Sequence, residues 1–462
     1  MENFKNTYSG EYKAKRYPDA IFYYEIYVPN NHNENMGYGL IFNHDGLNKA
    51  EAVANELLAQ NGDAPHCISI GIDGGWITPT IEKGTKRRLR MNTYDFYSNR
   101  FPDFVVDELL PYLIEKYNLN ISASPDMHLV TGGSSGGISS WNIAWYRTDY
   151  FKRVYMSSPS FLEMGKGQEL VTLIRKYETK PIRVFTEYSE NEPNDYFGSS
   201  FCVAKAAEMA LEFAGYDMMR SYYPDEGHCS RRLDYEKAVE RLRFLWEDWK
   251  TTPVKVKNIS PRMEKVFSIS DDWIESKDVF PEKIKAISTG VFTPKGEYVA
   301  EGSNIIFVND VGERKAVACG FSNINSLLIS SDKWRLYIGD KQRGCVYAAN
   351  IREDGMLSDI YVHATLHLNT DFKIPGVFDM CLDSEDRIYA ATEIGIQAIR
   401  SYGLIDVILA NPNKETANRV EIDDNGFLVV QTNQKIYKRK LCNKKRIDYN
   451  VQTEPTCCSY YD

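Results

Sequence analysis

The first 250 residues alternate segments typical of strands with segments typical of helices. Two segments, 104–117 and 203–215, repeat apolar residues at intervals of three and four, and 235–250 has the pattern of a closing amphipathic helix. This alternation predicts a mostly parallel sheet with helices on both faces over residues 1–250. The predicted strands, all rich in β-branched and aromatic residues, are 21–29, 38–44, 66–72, 127–132, 153–159, 182–188 and 218–224.

After residue 250 the pattern changes. Residues 251–284 begin with the stretch TTPVKVKNISP, which contains two prolines and no helical period, and we interpret them as a linker. Residues 285–442 repeat a strand, a turn and a second strand, and a repeat of about 40–50 residues is typical of a propeller blade. We expect an all-β, propeller-like domain, incomplete with four visible repeats, followed by a polar tail at 443–462. The repeated strands are centred on Tyr298, Tyr337, Tyr389 and Val429.

Composition limits the partners of the chain. Its 462 residues carry a formal net charge of −9, which argues against nucleic acid and anionic membranes as broad-surface partners. The N-terminal residues are polar, no apolar run reaches the length of a membrane span, and the nine cysteines form no C-x-x-C pair. We therefore expect a cytoplasmic protein with reduced thiols. The cationic run at 86–90 is either a solvated loop or the rim of a cleft for an anionic substrate.

One glycine- and serine-rich turn predicts a nucleophile. Residues 132–137 read Gly-Gly-Ser-Ser-Gly-Gly, and the frame 133–137 fits G-x-S-x-G with Ser135, rather than Ser134, at its centre. A predicted strand precedes the turn and a predicted helix follows it, as a nucleophile elbow requires. We therefore expect Ser135 to occupy the strained position and to present its hydroxyl to a substrate. The alternative is a flexible turn with no chemical role.

The order of residues along the chain predicts a base and an acid. In a hydrolase of this kind the acid and then the histidine follow the serine, and His228 is the one histidine between Ser135 and the linker. The acid is expected just after the strand 182–188, where Glu192 is our choice and Glu190 and Asp195 stay open.

The oxyanion hole should combine two backbone amides. One is the N–H of Gly136, and the other belongs to Gly46 or Leu47, after the strand 38–44. The carboxylate of Asp45 is expected to hold that loop in place.

Several segments then resemble the enterochelin-esterase-like family of α/β-hydrolases, which includes feruloyl and acetyl-xylan carbohydrate esterases. The resemblance covers roughly residues 15–250 and is carried by NHDG, FPDFVVDELLPYL, LVTGGSSGG, FKRVYMSSPSF, LEFAGYD and GHCSRR, in the order of the family. It implies an α/β-hydrolase fold with Ser135 and His228 as the catalytic pair. The family usually carries Asp in the acid loop, where this chain has Glu192.

The repeats at 285–441 resemble the gluconolactonase/senescence-marker propeller family. NINSLLISSDKWRLYIGD places Asn325 at a metal-ligand asparagine, and GVFDMCLDSEDRIYAAT places Asp379 at the ligand and catalytic aspartate. The resemblance implies a divalent cation, usually calcium. The family's earlier ligands have no counterpart here, so a degenerate packing or binding domain is the alternative.

The leading hypothesis is hydrolysis of a carboxylic ester through an acyl-serine intermediate, with no cofactor. An acylated carbohydrate, a hydroxycinnamoyl ester or a siderophore ester is the expected substrate. One rival is a bifunctional esterase and metal-dependent sugar lactonase, and another is a non-catalytic carbohydrate-binding or scaffold protein. The C-terminal repeats could also make the chain a homo-oligomer.

Overall fold

A computed structural model describes residues 6–29, 37–79, 84–256, 261–267, 272–277, 290–371, 376–433 and 435–442. The chain divides into two compact units. One comprises residues 1–175 and 179–260, and the other comprises residues 176–178 and 261–462. The predicted tail at 443–462 and parts of the predicted linker lie outside the described residues.

The N-terminal unit contains twelve strands among its described residues. They are β1 Thr7–Lys13, β2 Ala20–Tyr27, β3 Gly39–His44, β4 Cys67–Ile72, β5 Trp76–Ile77, β6 Arg87–Arg88, β7 His128–Gly133, β8 Arg153–Ser157, β9 Arg183–Asn191, β10 Asn194–Asp195, β11 Gly198–Ser199 and β12 Asp217–Gly227. Ten of them form one sheet in the order β12-β9-β8-β7-β3-β4-β2-β5-β6, with β1 beside β2. The neighbours from β12 to β4 run parallel, whereas β2 runs antiparallel to β4. The predicted mostly parallel sheet is therefore confirmed.

Helices cover both faces of this sheet. They are α1 Lys49–Gln60, α2 Arg90–Tyr94, α3 Arg100–Phe104, α4 Leu110–Tyr117, α5 Ser135–Tyr146, α6 Gly167–Lys176, α7 Ser200–Phe213 and α8 Tyr235–Leu245, with a π-helical turn at Val105–Leu109. Every residue of β3, β4, β7 and β8 is buried, as expected for strands covered on both faces. Helix α1 packs against α8, and α5 packs against α2 and α3. Among the described residues, no helix combines the length and the apolar composition needed to cross a bilayer.

The C-terminal unit is built from four four-stranded antiparallel sheets in its described part. The sheets are β14–β17, β18–β21, β22–β25 and β13-β28-β27-β26. The strands are β13 Ile274–Ser276, β14 Gly290–Thr293, β15 Gly296–Glu301, β16 Asn304–Asn309, β17 Arg314–Ala318, β18 Ile324–Ile329, β19 Arg335–Asp340, β20 Cys345–Ile351, β21 Leu357–Thr365, β22 Asp379–Leu382, β23 Ile388–Thr392, β24 Gly395–Ile399, β25 Ile405–Leu409, β26 Arg419–Ile422, β27 Phe427–Gln431 and β28 Ile436–Lys440. The repeated strands of the sequence are β15, β19, β23 and β27. The fourth sheet joins β13 from the start of the unit to three strands from its end.

Candidate active site

A strained residue joins β7 to α5. Strand β7 ends at Gly133, α5 begins at Ser135, and Ser134 between them has φ 58° and ψ −126°. Residues other than glycine rarely adopt this backbone conformation, and a serine held there at a strand-to-helix turn is the mark of a nucleophile elbow. The strained position is therefore Ser134, one residue before the predicted Ser135, which is the first residue of the helix.

The glycines on either side fit the same frame. A Cβ on Gly132 would lie 2.3 Å from the carbonyl oxygen of Gly136, and a Cβ on Gly136 would lie 2.9 Å from the Cβ of His44. Both contacts are too close for any side chain, so this turn requires glycine two residues before and two residues after Ser134. Residues 132–136 thus form a second G-x-S-x-G frame, which overlaps the predicted one and is centred on Ser134.

The two adjacent hydroxyl groups have different partners. Ser134 Oγ lies 3.0 Å from Ser160 Oγ. The Ser135 hydroxyl instead hydrogen-bonds the carboxylate of Asp95, a residue that is 2% exposed. Burial raises the pKa of Asp95 to about 6, and the bond from Ser135 opposes that shift. Sequence reasoning missed both Ser160 and Asp95; the serines in SSPS, after a predicted strand, were the available signal for Ser160.

His228 lies in a turn between β12 and α8, which we call the histidine turn (residues 228–234). The turn ends at Asp234, whose carboxylate accepts a hydrogen bond from Lys237 N at 3.1 Å and caps α8. His228 Nδ1 hydrogen-bonds Glu192 Oε2. The Cys229 thiol and the Glu192 carboxylate, through hydrogen bonds, raise the pKa of His228 above its ordinary value.

Glu192 is held on both of its oxygens. Its Oε1 accepts a hydrogen bond from Ser158 Oγ at 2.5 Å and another from Ser189 N at 3.2 Å. Its Oε2 accepts the hydrogen bond from His228 Nδ1. Burial alone would raise the pKa of Glu192, but the hydrogen bonds from His228 and Ser158 bring it below its usual value.

The other two candidate acids lie elsewhere. Glu190 and Asp195 are both exposed. Glu190 interacts with Tyr222, and Asp195 accepts a hydrogen bond from Phe197 N at 2.8 Å. The structure therefore places Glu192, of the three carboxylates, against the histidine.

Sheet topology explains why these residues approach one another. Ser134 follows β7, Glu192 follows β9 and His228 follows β12, and the sheet order β12-β9-β8-β7 makes these strands parallel near neighbours. Parallel strands end at the same edge of a sheet, which is where ligands bind in open α/β folds. Ser134 Oγ contacts Ser160 rather than His228 here; catalytic hydrogen bonds are often long without substrate and tighten when it binds.

The predicted amide donors of the oxyanion hole on the β3 side already have acceptors. Gly46 N donates to Ile72 O at 3.2 Å, and Leu47 N donates to Glu25 Oε2 at 3.3 Å. Both amides are therefore turned toward β4 and β2, away from the elbow on β7. The prediction needs one of these two amides to be free for an oxyanion, and both already donate to another acceptor. The first turn of α5, which contains the third predicted donor, Gly136, lies directly at the elbow.

Asp45 holds this loop in a fixed conformation. Its two carboxylate oxygens accept hydrogen bonds from Arg90 Nε and Nη2, each at 2.8 Å. Burial would raise the pKa of Asp45, but the paired guanidinium brings it below its usual value. Asp45 also has a positive φ of 61°, a conformation that aspartate adopts more readily than most other residues.

The two predicted metal ligands lie on neighbouring sheets of the C-terminal unit. Asn325 Nδ2 donates to Val377 O at 2.8 Å, and the carboxylate of Asp379 accepts from Met380 N at 2.9 Å and Val420 N at 3.1 Å. Burial raises the pKa of Asp379 to about 6. Calcium takes about six to eight oxygen ligands. Asn325 Oδ1 is buried without a hydrogen-bond partner among the described residues, which contain no group of three or more His, Cys, Asp or Glu side chains arranged to hold a metal.

Part of the N-terminal unit is similar to known esterases. Residues 22–192 match the family model described as "Putative esterase". This match identifies a carboxylic ester hydrolase domain within the N-terminal unit. No curated protein sequence matches the chain.

Solved structures of three esterases align with about half of the chain. A ferulic acid esterase is 15% identical over 52% of this chain and 97% of its own, with a TM-score of 0.39. The enterochelin esterase of Shigella flexneri is 18% identical over 52% of this chain and 58% of its own, with a TM-score of 0.39. An S-formylglutathione hydrolase from Agrobacterium tumefaciens is 13% identical over 54% of this chain and 95% of its own, with a TM-score of 0.40.

Proposed function

We propose that the N-terminal unit hydrolyses a carboxylic ester through an acyl-enzyme intermediate on Ser134, not on Ser135. His228 is the general base and Glu192 orients it. The observation that carries the proposal is the strained backbone of Ser134 at the edge of the sheet where Glu192 is bonded to His228.

The reaction proceeds in two halves. Ser134 Oγ attacks the ester carbonyl carbon while His228 Nε2 takes the hydroxyl proton, and the tetrahedral intermediate collapses when His228 returns that proton to the leaving alcohol. Water then attacks the acyl-Ser134 bond with His228 as base, which releases the carboxylic acid and restores the serine. Glu192 accepts the hydrogen bond from Nδ1 throughout and stabilises the imidazolium.

With Ser134 as nucleophile, the residue that follows it is Ser135, whose backbone N–H lies in the first turn of α5. We propose this amide as an oxyanion donor in place of the predicted Gly136. A second donor from the loop after β3 requires Leu47 N to leave Glu25, or Gly46 N to leave Ile72.

A cleft lies beside the loop after β3, but none of Ser134, Glu192 and His228 lines it. Its volume is about 570 Å³, and its lining includes Tyr23, Glu25, Asp45 and Arg88. The proposed substrate class therefore rests on the family resemblance, which implies acylated carbohydrates, hydroxycinnamoyl esters and siderophore esters.

For the C-terminal unit we propose a propeller-like arrangement of the four sheets. Pairing between its first and last described strands, β13 and β28, supports a closed unit. A role for this unit in self-association is tested by comparing the mass of the full chain in solution, by light scattering, with that of residues 1–258. A metal-dependent lactonase would need further oxygen ligands beside Asn325 and Asp379, and the described residues contain no group of three or more His, Cys, Asp or Glu side chains arranged to hold a metal.

The test of the nucleophile compares Ser134→Ala with Ser135→Ala as the matched control. Each variant and the wild type are assayed on p-nitrophenyl butyrate and labelled with a fluorophosphonate, and the labelled residue is located by peptide mass spectrometry. We expect Ser134→Ala to lose turnover and labelling, and Ser135→Ala to keep the label on Ser134. A label on Ser135 would instead support Ser135 as the nucleophile, as the frame 133–137 predicts. A wild type that shows neither turnover nor labelling would contradict the serine mechanism.

A further inference from the structure

The histidine turn is fixed to the end of β8 on one side. Cys229 N donates to Ser158 Oγ at 2.9 Å, and Cys229 Sγ lies 3.5 Å from Ser157 O. Ser158 is also a hydrogen-bond partner of Glu192. The first half of the turn is therefore tied to the strand that lies between the elbow and the acid.

The second half of the turn is fixed to the end of β3 by Arg232. Its guanidinium Nη2 donates to His44 O, at the last residue of β3, over 2.7 Å. The carbonyl oxygen of Arg232 accepts from Asn48 Nδ2 at 3.2 Å and from Arg241 Nη2 at 2.8 Å. One residue thus joins the turn to both ends of the loop that follows β3.

The elbow strand lies between these two attachments. In the sheet, β7 has β8 on one side and β3 on the other. The Arg232 side chain crosses β7 at Gly133, where an added Cβ would lie 2.9 Å from Arg232 Cδ and 2.9 Å from Cys229 Sγ. The histidine turn therefore spans the end of β7, next to Ser134, and is held on both neighbouring strands.

We propose that Arg232 is a positioning residue that sets the His228 imidazole over the Ser134 hydroxyl. The inference rests on the proposed function and adds a residue to it. A turn attached on the β8 side alone can pivot about that attachment, and a displacement of about 1 Å at a catalytic base costs about 100-fold in rate. Arginine suits this position because its aliphatic chain covers Gly133 while its guanidinium group reaches the carbonyl oxygen of His44.

The neighbouring Arg231 provides a matched control. Its guanidinium binds Glu226 at 2.8 Å and Asp234 at 3.0 Å. These contacts stay within β12 and the histidine turn. Arg231 therefore has the same charge as Arg232 and is adjacent to it in sequence, but it has different partners.

The experiment compares Arg232→Ala, Arg232→Lys and Arg231→Ala with the full-length wild type. Turnover of p-nitrophenyl butyrate gives kcat and KM, thermal unfolding gives Tm, and hydrogen exchange is followed in peptides covering 40–50 and 226–234. For Arg232→Ala we expect kcat to fall about 10- to 100-fold with KM within about twofold, and faster exchange confined to the two peptides. Arg232→Lys should recover part of kcat, and Arg231→Ala should resemble the wild type.

The outcomes separate this inference from the proposed function. Wild-type kcat in Arg232→Ala, or unchanged exchange in both peptides, overturns the positioning role. If Arg232→Ala does not fold, a folded Arg232→Lys with wild-type kcat and exchange overturns it equally. If the wild type has no esterase activity, the proposed function fails, and exchange alone decides whether Arg232 holds the turn.

Discussion

His228 Nδ1 hydrogen-bonds Glu192 Oε2 across 36 positions of sequence. The other oxygen of Glu192 is held by Ser158 and Ser189, so the carboxylate is fixed before any substrate arrives. This contact assigns the imidazole proton to Nδ1 and leaves Nε2 as the base. In the proposed triad a glutamate thus stands where the family that the sequence resembles usually carries an aspartate.

Removing the charge of Glu192 should impair catalysis without preventing substrate binding. In Glu192→Gln the amide can donate to Nδ1, which favours the wrong tautomer, and we expect kcat to fall about 100- to 10,000-fold. KM should change little, because Glu192 contacts the histidine and not the ester. The control is Glu190→Gln, two residues earlier and exposed, which should retain wild-type kcat; equal losses in both variants would contradict the assignment.

The rate should increase with pH beyond the usual range of histidine. A base must be neutral, and contact with Cys229 and Glu192 raises the pKa of His228 above about 6.5. Wild-type kcat/KM should therefore climb through an ascending limb centred above that value, and the limb of Glu192→Gln should be centred lower. A wild-type limb centred at or below about 6.5 would show that His228 is not held as described.

The raised pKa of His228 should also affect the free energy of unfolding of the protein. A histidine with a raised pKa in the folded state stabilises the protein fully below its unfolded pKa of about 6.5, and this contribution is lost as pH increases through the folded value. We expect the wild type to lose its advantage over Glu192→Gln in the free energy of unfolding as pH increases through that window. Denaturant titrations at several pH values would measure it, and a pH-independent difference between the two proteins would speak against the His228–Glu192 pair.

A methyl group at Gly132 should disrupt the elbow. Its Cβ would lie 2.3 Å from the carbonyl oxygen of Gly136, so Gly132→Ala must displace backbone at an expected cost of about 3 kcal/mol, with loss of fluorophosphonate labelling. Gly227→Ala is the control next to the histidine, because the nearest atom to its Cβ is Asn191 O at 4.0 Å. Normal labelling of Gly132→Ala would contradict the frame centred on Ser134.

Removing divalent cations should leave the esterase unaffected. None of the proposed catalytic steps uses a metal, and Asp379 belongs to no group of three or more His, Cys, Asp or Glu side chains among the described residues. Dialysis against EDTA should change neither kcat nor Tm, and Asp379→Asn should leave kcat unchanged. A drop in Tm with EDTA that calcium reverses would show a cation site.

Most of the central sheet was predictable because its strands are rich in β-branched and aromatic residues, and β3, β4, β7 and β8 are buried on both faces. The seven predicted strands correspond to β2, β3, β4, β7, β8, β9 and β12 with boundaries shifted by a few residues. Helix α1 was not predicted, because polar residues occupy its buried face. Glu51 accepts a hydrogen bond from Thr131 at 2.9 Å, and Asn55 accepts one from Trp246 at 2.8 Å, so the apolar period is broken by groups whose partners lie far along the chain.

The candidate site was predictable only in part for a related reason. Two overlapping G-x-S-x-G frames share the same letters, and only the backbone angles at Ser134 distinguish them. The acid Glu192 and the engagement of Leu47 by Glu25 depend on which loops meet in space. Sequence order is enough to place the histidine, but the neighbours of an amide or carboxylate are set by tertiary packing.

The pairing of Glu275 in β13 with Tyr437 in β28 affects how the C-terminal unit is made. During synthesis, β13 leaves the ribosome long before its partner strand β28. The two strands can pair only after nearly the whole C-terminal unit has been made. Closure of such a long loop is entropically costly and slow, so the unit should complete folding only after β28 has been synthesised, whereas the N-terminal unit is complete much earlier. A nascent chain stalled before residue 436 should therefore carry a folded esterase unit followed by an open, protease-sensitive set of sheets.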